Sequence, residues 1–216
     1  MRSPRLIKSH LEHEKIAKGG KYIYVARNPE DAFVSYFHFL PGFRGLEPND
    51  LTDMNLFFNA IWTSHRTSLW DHYVGWYKVK DDPNVLWVFF EDMKSDFRGQ
   101  IERVAEFMDI HEEVREKRVD EALEKASFKF MSSKEQKHHF DDHFFFDKVK
   151  VSMGFPEDKE VSEMGNKVRH GKTGRGSQIP RNIRKRMEEE WKKKVTPETN
   201  CKDYDSFRAS FKNLRN

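Results

Sequence analysis

An arginine, a serine and a strong helix start fall close together in KYIYVARNPEDAFVSYFHF, residues 21–39. Tyr22 to Ala26 alternates and favours β structure, which predicts a buried strand that stops at Arg27. A helix follows at once: Asn28 suits the N-cap, Pro29 the first helical position, and Glu30 and Asp31 put acid where the backbone dipole favours it. Ser35, seven residues past the cap, lies nearly two turns along on the Asn28 face, about 10 Å up the axis. Arg27 and Ser35 can therefore approach one ligand. A guanidinium at a strand end with a hydroxyl on the next helix makes a phosphate clamp. By itself the stretch fits equally well an Arg27 that pairs with Glu30 or Asp31.

Three other stretches carry chemistry-bearing residues. VRHGKTGRGSQ, 168–178, contains the Gly-Lys-Thr of a phosphate-binding loop. The upstream Gly165 is one residue too far for that loop, and the residues before it do not read as a strand. In KHHFDDHFFF, His138, His139, Asp141, Asp142 and His143 match no zinc spacing, and a mobile aromatic lid is the better reading. Glu91 and Asp92 could pair as acid and base; bonding to backbone at a strand end is the expectation.

The clamp stretch closely resembles the segment by which cytosolic sulfotransferases hold the 3′-phosphate of 3′-phosphoadenosine 5′-phosphosulfate (PAPS). SPRLIKSHL at 3–11, VLWVFFEDM at 85–93, SFKFM at 127–131 and VRHGKTG at 168–174 are similar to further blocks of that family, in family order. The resemblance spans nearly the whole chain. It implies that Arg27 and Ser35 contact the 3′-phosphate, that Phe128 stacks on adenine while Ser127 bonds to it, and that Arg169, His170 and Gly171 close on the phosphate. It also implies that His10 is the general base taking the acceptor's proton, a task that suits an imidazole titrating near neutrality. Lys8 belongs to the same block and is assigned no chemistry. Departures from the pattern are Glu12 for a Pro, Phe90 where a Tyr is common, His170 for a Lys, and Gly174, Arg175 and Gly176 where Gly-Asp-Trp is usual. The family's dimer motif is not reproduced around Ser177, Pro180 and Arg181, and no such dimer is expected.

The elements that must position these residues follow from pattern. Arg5 to Ser9 is a short strand candidate with His10 at its end, and EHEK with Gly19 and Gly20 marks a loop. LPGFRGLEPND after the clamp helix reads as a surface loop. Helices are expected over 51–64 and 66–78, with Leu56, Phe57, Ile61, Leu69, Trp70, Tyr73, Trp76 and Tyr77 as apolar stripes. VLWVFF, 85–90, reads as a buried parallel strand neighbouring Tyr22–Ala26. Charged helices cover 97–108 and about 112–125. A basic helix begins at Pro180, with Ile183, Met187 and Trp191 as its buried stripe.

At 216 residues with 19 Phe and 5 Trp the chain can build one core, and a single domain over 1–216 is expected. A net charge of +3 and pI near 8.8 are too mild to point to nucleic acid, and suit a small anionic ligand. The lone Cys201 excludes an intrachain disulfide. No apolar run reaches the roughly 20 residues of a membrane span, and no signal-peptide core opens the chain, so a cytoplasmic location is expected.

The resemblance implies an α/β fold, a three-layer parallel sheet flanked by helices, with PAPS as co-substrate, 3′-phosphoadenosine 5′-phosphate (PAP) as product and a small-molecule hydroxyl or amine acceptor. The family's Lys-Ser-Gly-Thr-Thr-Trp loop and the strand before it are not found in the sequence. The expectation is an N-terminally incomplete domain, inactive as written. Its alternatives are a non-catalytic chain that binds PAP or a partner protein, and a P-loop kinase.

Overall fold

The computed structural model describes residues 5–43, 52–63, 69–133, 151, 157–158, 168 and 171–211. Its centre is a parallel pair of strands, β1 (Tyr22–Ala26) and β2 (Val85–Phe89), in register from Tyr22 opposite Val85 to Ala26 opposite Phe89. This is the expected pairing. Side chains alternate across the two strands. Tyr24, Ala26, Val85, Trp87 and Phe89 join one aromatic core with Trp76, Phe207 and Phe211, and Val88 is buried outside that cluster.

The helices that follow are α1 (Pro29–Phe43), α2 (Met54–Phe57), α3 (Leu69–Tyr77), α4 (Phe90–Ser95), α5 (Phe97–Phe107) and α6 (Glu112–Lys125). Then come α7 (Phe128–Met131), α8 (Arg181–Lys194), α9 (Thr196–Thr199) and α10 (Tyr204–Ala209). α5 packs on β2, and α6 on α5. α8 packs on α3, with Ile183, Met187 and Trp191 buried as its spacing predicts. Helices and parallel strands together form the α/β architecture expected.

Four expectations need correction. Arg5–Ser9 is not a strand: Leu6 and Ile7 are 85% and 81% exposed, and a strand needs a neighbour for its backbone groups. α1 runs on to Phe43, so that the first residues of the predicted loop, Leu40 to Phe43, are helical and take Pro41 into the last turn. α2 gives way to a π-helical turn over Phe58–Trp62. Leu56 faces solvent, whereas Phe57, Trp70, Tyr73 and Trp76 are buried.

Candidate functional site

Arg27 sits where β1 ends, and its backbone is fixed from both sides. The buried Tyr73 hydroxyl donates to the Arg27 carbonyl, and the Asn28 N–H donates to Glu91 Oε1 at 2.8 Å. Glu91 Oε2 accepts from the Tyr204 hydroxyl at 2.7 Å. Asn28 caps α1, its Oδ1 accepting from the Glu30 N–H at 2.9 Å. Neither acid of the first turn makes an ion pair with Arg27 among the described residues. Glu30 pairs with Arg184 at 3.5 Å, and Asp31, buried, accepts the N–H groups of Gly174 and Gly176, each at 2.8 Å.

The Arg27 guanidinium instead lies over the Phe90 ring, 4.4 Å from its centre. Its buried Nε has no hydrogen-bond partner, and it makes no ion pair among the described residues. Burial lowers its pKa from the ordinary arginine value; Asp31 and Glu91 pull the other way, and the like charge of Arg175 lowers it further. An unsatisfied buried donor on a fixed cation is costly unless an anion meets it. The site is therefore complementary to a phosphate or sulfate oxygen.

Segment 171–178 is brought to the same place by Asp31. A phosphate-binding loop would leave its backbone N–H groups to the ligand and lead into a helix. Here Gly171, Lys172 and Thr173 are not helical and only a 3-10 turn, Arg175–Gln178, follows, while Asp31 takes the N–H groups of Gly174 and Gly176. The kinase reading fails on this geometry. Gly176 lies against Glu30, where a Cβ would come within 2.7 Å of the Glu30 Cβ.

Gly171 and Phe128 also meet. Gly171 has φ +58°, and a Cβ there would stand 2.8 Å from Phe128 Cδ2. Phe128 is 44% exposed. Ser127 caps α7, its Oγ accepting from the Phe130 N–H at 3.1 Å, which leaves the hydroxyl proton free to donate. Ser35 is half-buried on α1. Arg169, His170 and the 138–143 cluster lie outside the described residues.

His10 is exposed in chain without regular structure, beside Leu11, whose N–H donates to Ser9 Oγ at 3.1 Å. His72 on α3 reaches this segment: its Nε2 is 3.1 Å from the Leu11 carbonyl oxygen, and its Nδ1 is 3.0 Å from the Tyr24 hydroxyl. His72 is the site neighbour that sequence reasoning did not single out. Its trace in the sequence is that of a polar residue one helical turn from both Leu69 and Trp76. Of the expected carboxylate pair, Glu91 does hold backbone, while Asp92 binds Arg208, whose Nε is 3.0 Å away. Among the described residues no cluster of three or more His, Cys, Asp or Glu could hold a metal ion, and no helix is long and apolar enough to cross a membrane.

The fold is thus α/β, with Arg27 at the end of a parallel strand, its backbone held and its Nε without a partner among the described residues. The family model described as "Sulfotransferase domain" matches residues 1–157, and the chain belongs to that family. It is 36% identical over 137 residues to the amine sulfotransferase of Oryctolagus cuniculus, covering 60% of this chain and 44% of that one. It is 34% identical over 142 residues to sulfotransferase 1C2 of Homo sapiens, covering 61% and 45%. The chain thus spans less than half the length of these curated relatives. Its fold is similar to mouse sulfotransferase SULT7A1 complexed with PAP, with TM-score 0.55, 21% identity, and 81% of this chain and 58% of that one covered. It is also similar to retinol dehydratase in complex with androsterone and inactive cofactor PAP, with TM-score 0.53 and 24% identity, covering 81% and 47%.

Proposed function

We propose that this chain, a sulfotransferase domain over residues 1–216, binds PAPS and PAP and serves sulfuryl transfer to a hydroxyl or amine of a small molecule. The observation that carries the reading is Arg27, rigidly held, laid on Phe90 and without an anion of its own. Arg27 and Ser35 hold the 3′-phosphate, with Arg169, His170 and Gly171 closing over it. Phe128 offers its exposed face to adenine and Ser127 its hydroxyl proton. Bound PAPS supplies the sulfuryl group. His10 removes the acceptor's proton as the acceptor attacks, and its exposed position leaves it open to an incoming molecule. A relative named for amine substrates, and a neighbour solved with the steroid androsterone, support a small-molecule acceptor.

A second reading, PAP binding without turnover, is favoured by the far edge of β1. Among the described residues β1 pairs only with β2, and Val25 is 57% exposed. In the family a neighbouring strand leads into the loop that binds the 5′-phosphosulfate. Labelled PAPS, assayed against phenol, steroid and amine panels, separates the two readings. The chain is compared with the same chain extended by a relative's first strand, loop and helix. Sulfuryl transfer that appears on extension, and falls by a factor of about 10²–10⁴ in His10→Ala with PAP binding intact, supports the enzyme reading. PAP binding with no transfer in either protein supports the second.

A further inference from the structure

We propose that His72 is the positioning residue of the His10 segment, gripping the Leu11 carbonyl from α3 while the buried Tyr24 hydroxyl holds the imidazole in one tautomer. The proposal rests on the reading of His10 as the base for its functional meaning, and on hydrogen-bond geometry for its substance.

The proton positions follow from the partners. A carbonyl oxygen only accepts, so the contact at 3.1 Å makes Nε2 the protonated nitrogen. Nδ1 of the neutral ring is then an acceptor, and Tyr24, at 3.0 Å, must donate to it. The hydroxyl of β1, the imidazole of α3 and the carbonyl of Leu11 thus form a directed chain from the core to the segment that carries His10. The Tyr24 ring is clamped against Trp76 and Trp87, with centroids 5.2 and 4.3 Å away, and stacks on the His72 ring itself at 5.3 Å. The anchor end is therefore rigid.

A second pin lies further along the same segment. The Tyr22 hydroxyl donates to the Ala17 carbonyl at 2.8 Å, and the His13 ring packs on Trp76 with centroids 5.1 Å apart. Residues 11–17 are thus tied to β1 at both ends through alternate tyrosines of one strand face. The Arg5–His10 side chains are exposed, with no strand pairing to hold them. His72 is the tether nearest His10, one residue away. Glu12 and His10 are the charged or titratable groups that face it from this segment, and Tyr24 faces it from β1.

The test uses the 216-residue chain and three variants, His72→Phe, His72→Gln and Tyr24→Phe. Glutamine supplies one donor and one acceptor and can rebuild the chain, whereas phenylalanine fills the space with neither. Amide hydrogen exchange of residues 9–13 should quicken about fivefold or more in His72→Phe and Tyr24→Phe, the scale of one hydrogen bond lost. It should return towards the parent rate in His72→Gln, with exchange in β2 unchanged throughout. Nitrogen-15 spectra of the imidazole at pH 7.5 should show an Nε2–H tautomer. Unchanged exchange in His72→Phe, failure of Gln to rescue, or an Nδ1–H tautomer would each overturn the proposal. None of these readouts depends on catalysis. Faster exchange with Gln rescue, alongside an extended enzyme indifferent to His10→Ala, would uphold the tether and refute the His10 base.

Discussion

The Arg27 guanidinium carbon stands 4.4 Å from the centre of the Phe90 ring, and nothing among the described residues meets its buried Nε. The ring offers its negative face to a cation that has lost part of its water, and it holds the guanidinium plane in place. Such a contact is worth about 0.5–1 kcal/mol at exposed sites and more when desolvated. Phe90→Leu should keep the packing, lose the ring, and weaken PAP binding about two- to fivefold by calorimetry. An unchanged dissociation constant would show that the ring only fills space.

Asp31 joins α1 to the 171–178 segment through two backbone N–H groups. Asn at this position keeps one carbonyl oxygen and turns a donor towards the other N–H, leaving it unsatisfied. Asp31→Asn should cost about 1–3 kcal/mol of stability, read as a lower urea midpoint with an unchanged slope. It should also weaken PAP binding by displacing Gly171. Stability lost without any loss of affinity would separate the segment from the nucleotide site.

Gly171 has a left-handed backbone, φ +58°, and Phe128 occupies the space a Cβ would need. A non-glycine residue there costs about 1–2 kcal/mol for the backbone alone, and alanine must also push the ring aside. Gly171→Ala should weaken PAP binding. In a Phe128→Leu background the same change should cost less, because the obstructing ring is gone. Equal costs in both backgrounds, measured as a double-mutant cycle, would show that the two residues do not act together.

Burial holds the His72 pKa below the ordinary 6.5, opposed by its bond to Leu11 and by the charge of Glu12. The folded chain therefore keeps a neutral His72 at a pH where the unfolded chain already binds a proton. The stabilisation is fully present above pH 6.5 and is lost as pH falls through the lower folded value. Urea midpoints taken from pH 7.5 down to 5 should fall more steeply for the parent than for His72→Gln. Parallel curves would mean that His72 carries no such linkage. His13 is also lowered by burial, but it remains in both proteins and cancels.

The elements most legible in the sequence were those whose signal is local. The Asn28–Pro29 start of α1, the continuous apolar run of β2 and the Ile183, Met187, Trp191 stripe each depend on residues within a few positions of one another. So does the α5 boundary, where Asp96 caps the helix by accepting the Gly99 N–H at 3.1 Å. What escaped depends on distant partners. Leu6 and Ile7 look like strand residues, yet strand formation needs a neighbour that no local pattern reports. The Arg27 question was balanced because Glu30 and Asp31 are near in sequence; it was decided by Arg184, Gly174 and Gly176, far along the chain. His72 was hidden for the same reason, since its meaning lies in Tyr24 and Leu11.

The central claim is that Arg27 receives the 3′-phosphate of the nucleotide. Removing a charge-assisted contact of this kind costs roughly 1.5–3 kcal/mol, about tenfold or more in affinity. The measurement is calorimetric titration of the parent chain and Arg27→Ala with PAP and with adenosine 5′-phosphate, which lacks the 3′-phosphate. Arg27→Ala should lose tenfold or more in affinity for PAP and leave adenosine 5′-phosphate unchanged; equal losses for both nucleotides, or none for PAP, would contradict the assignment.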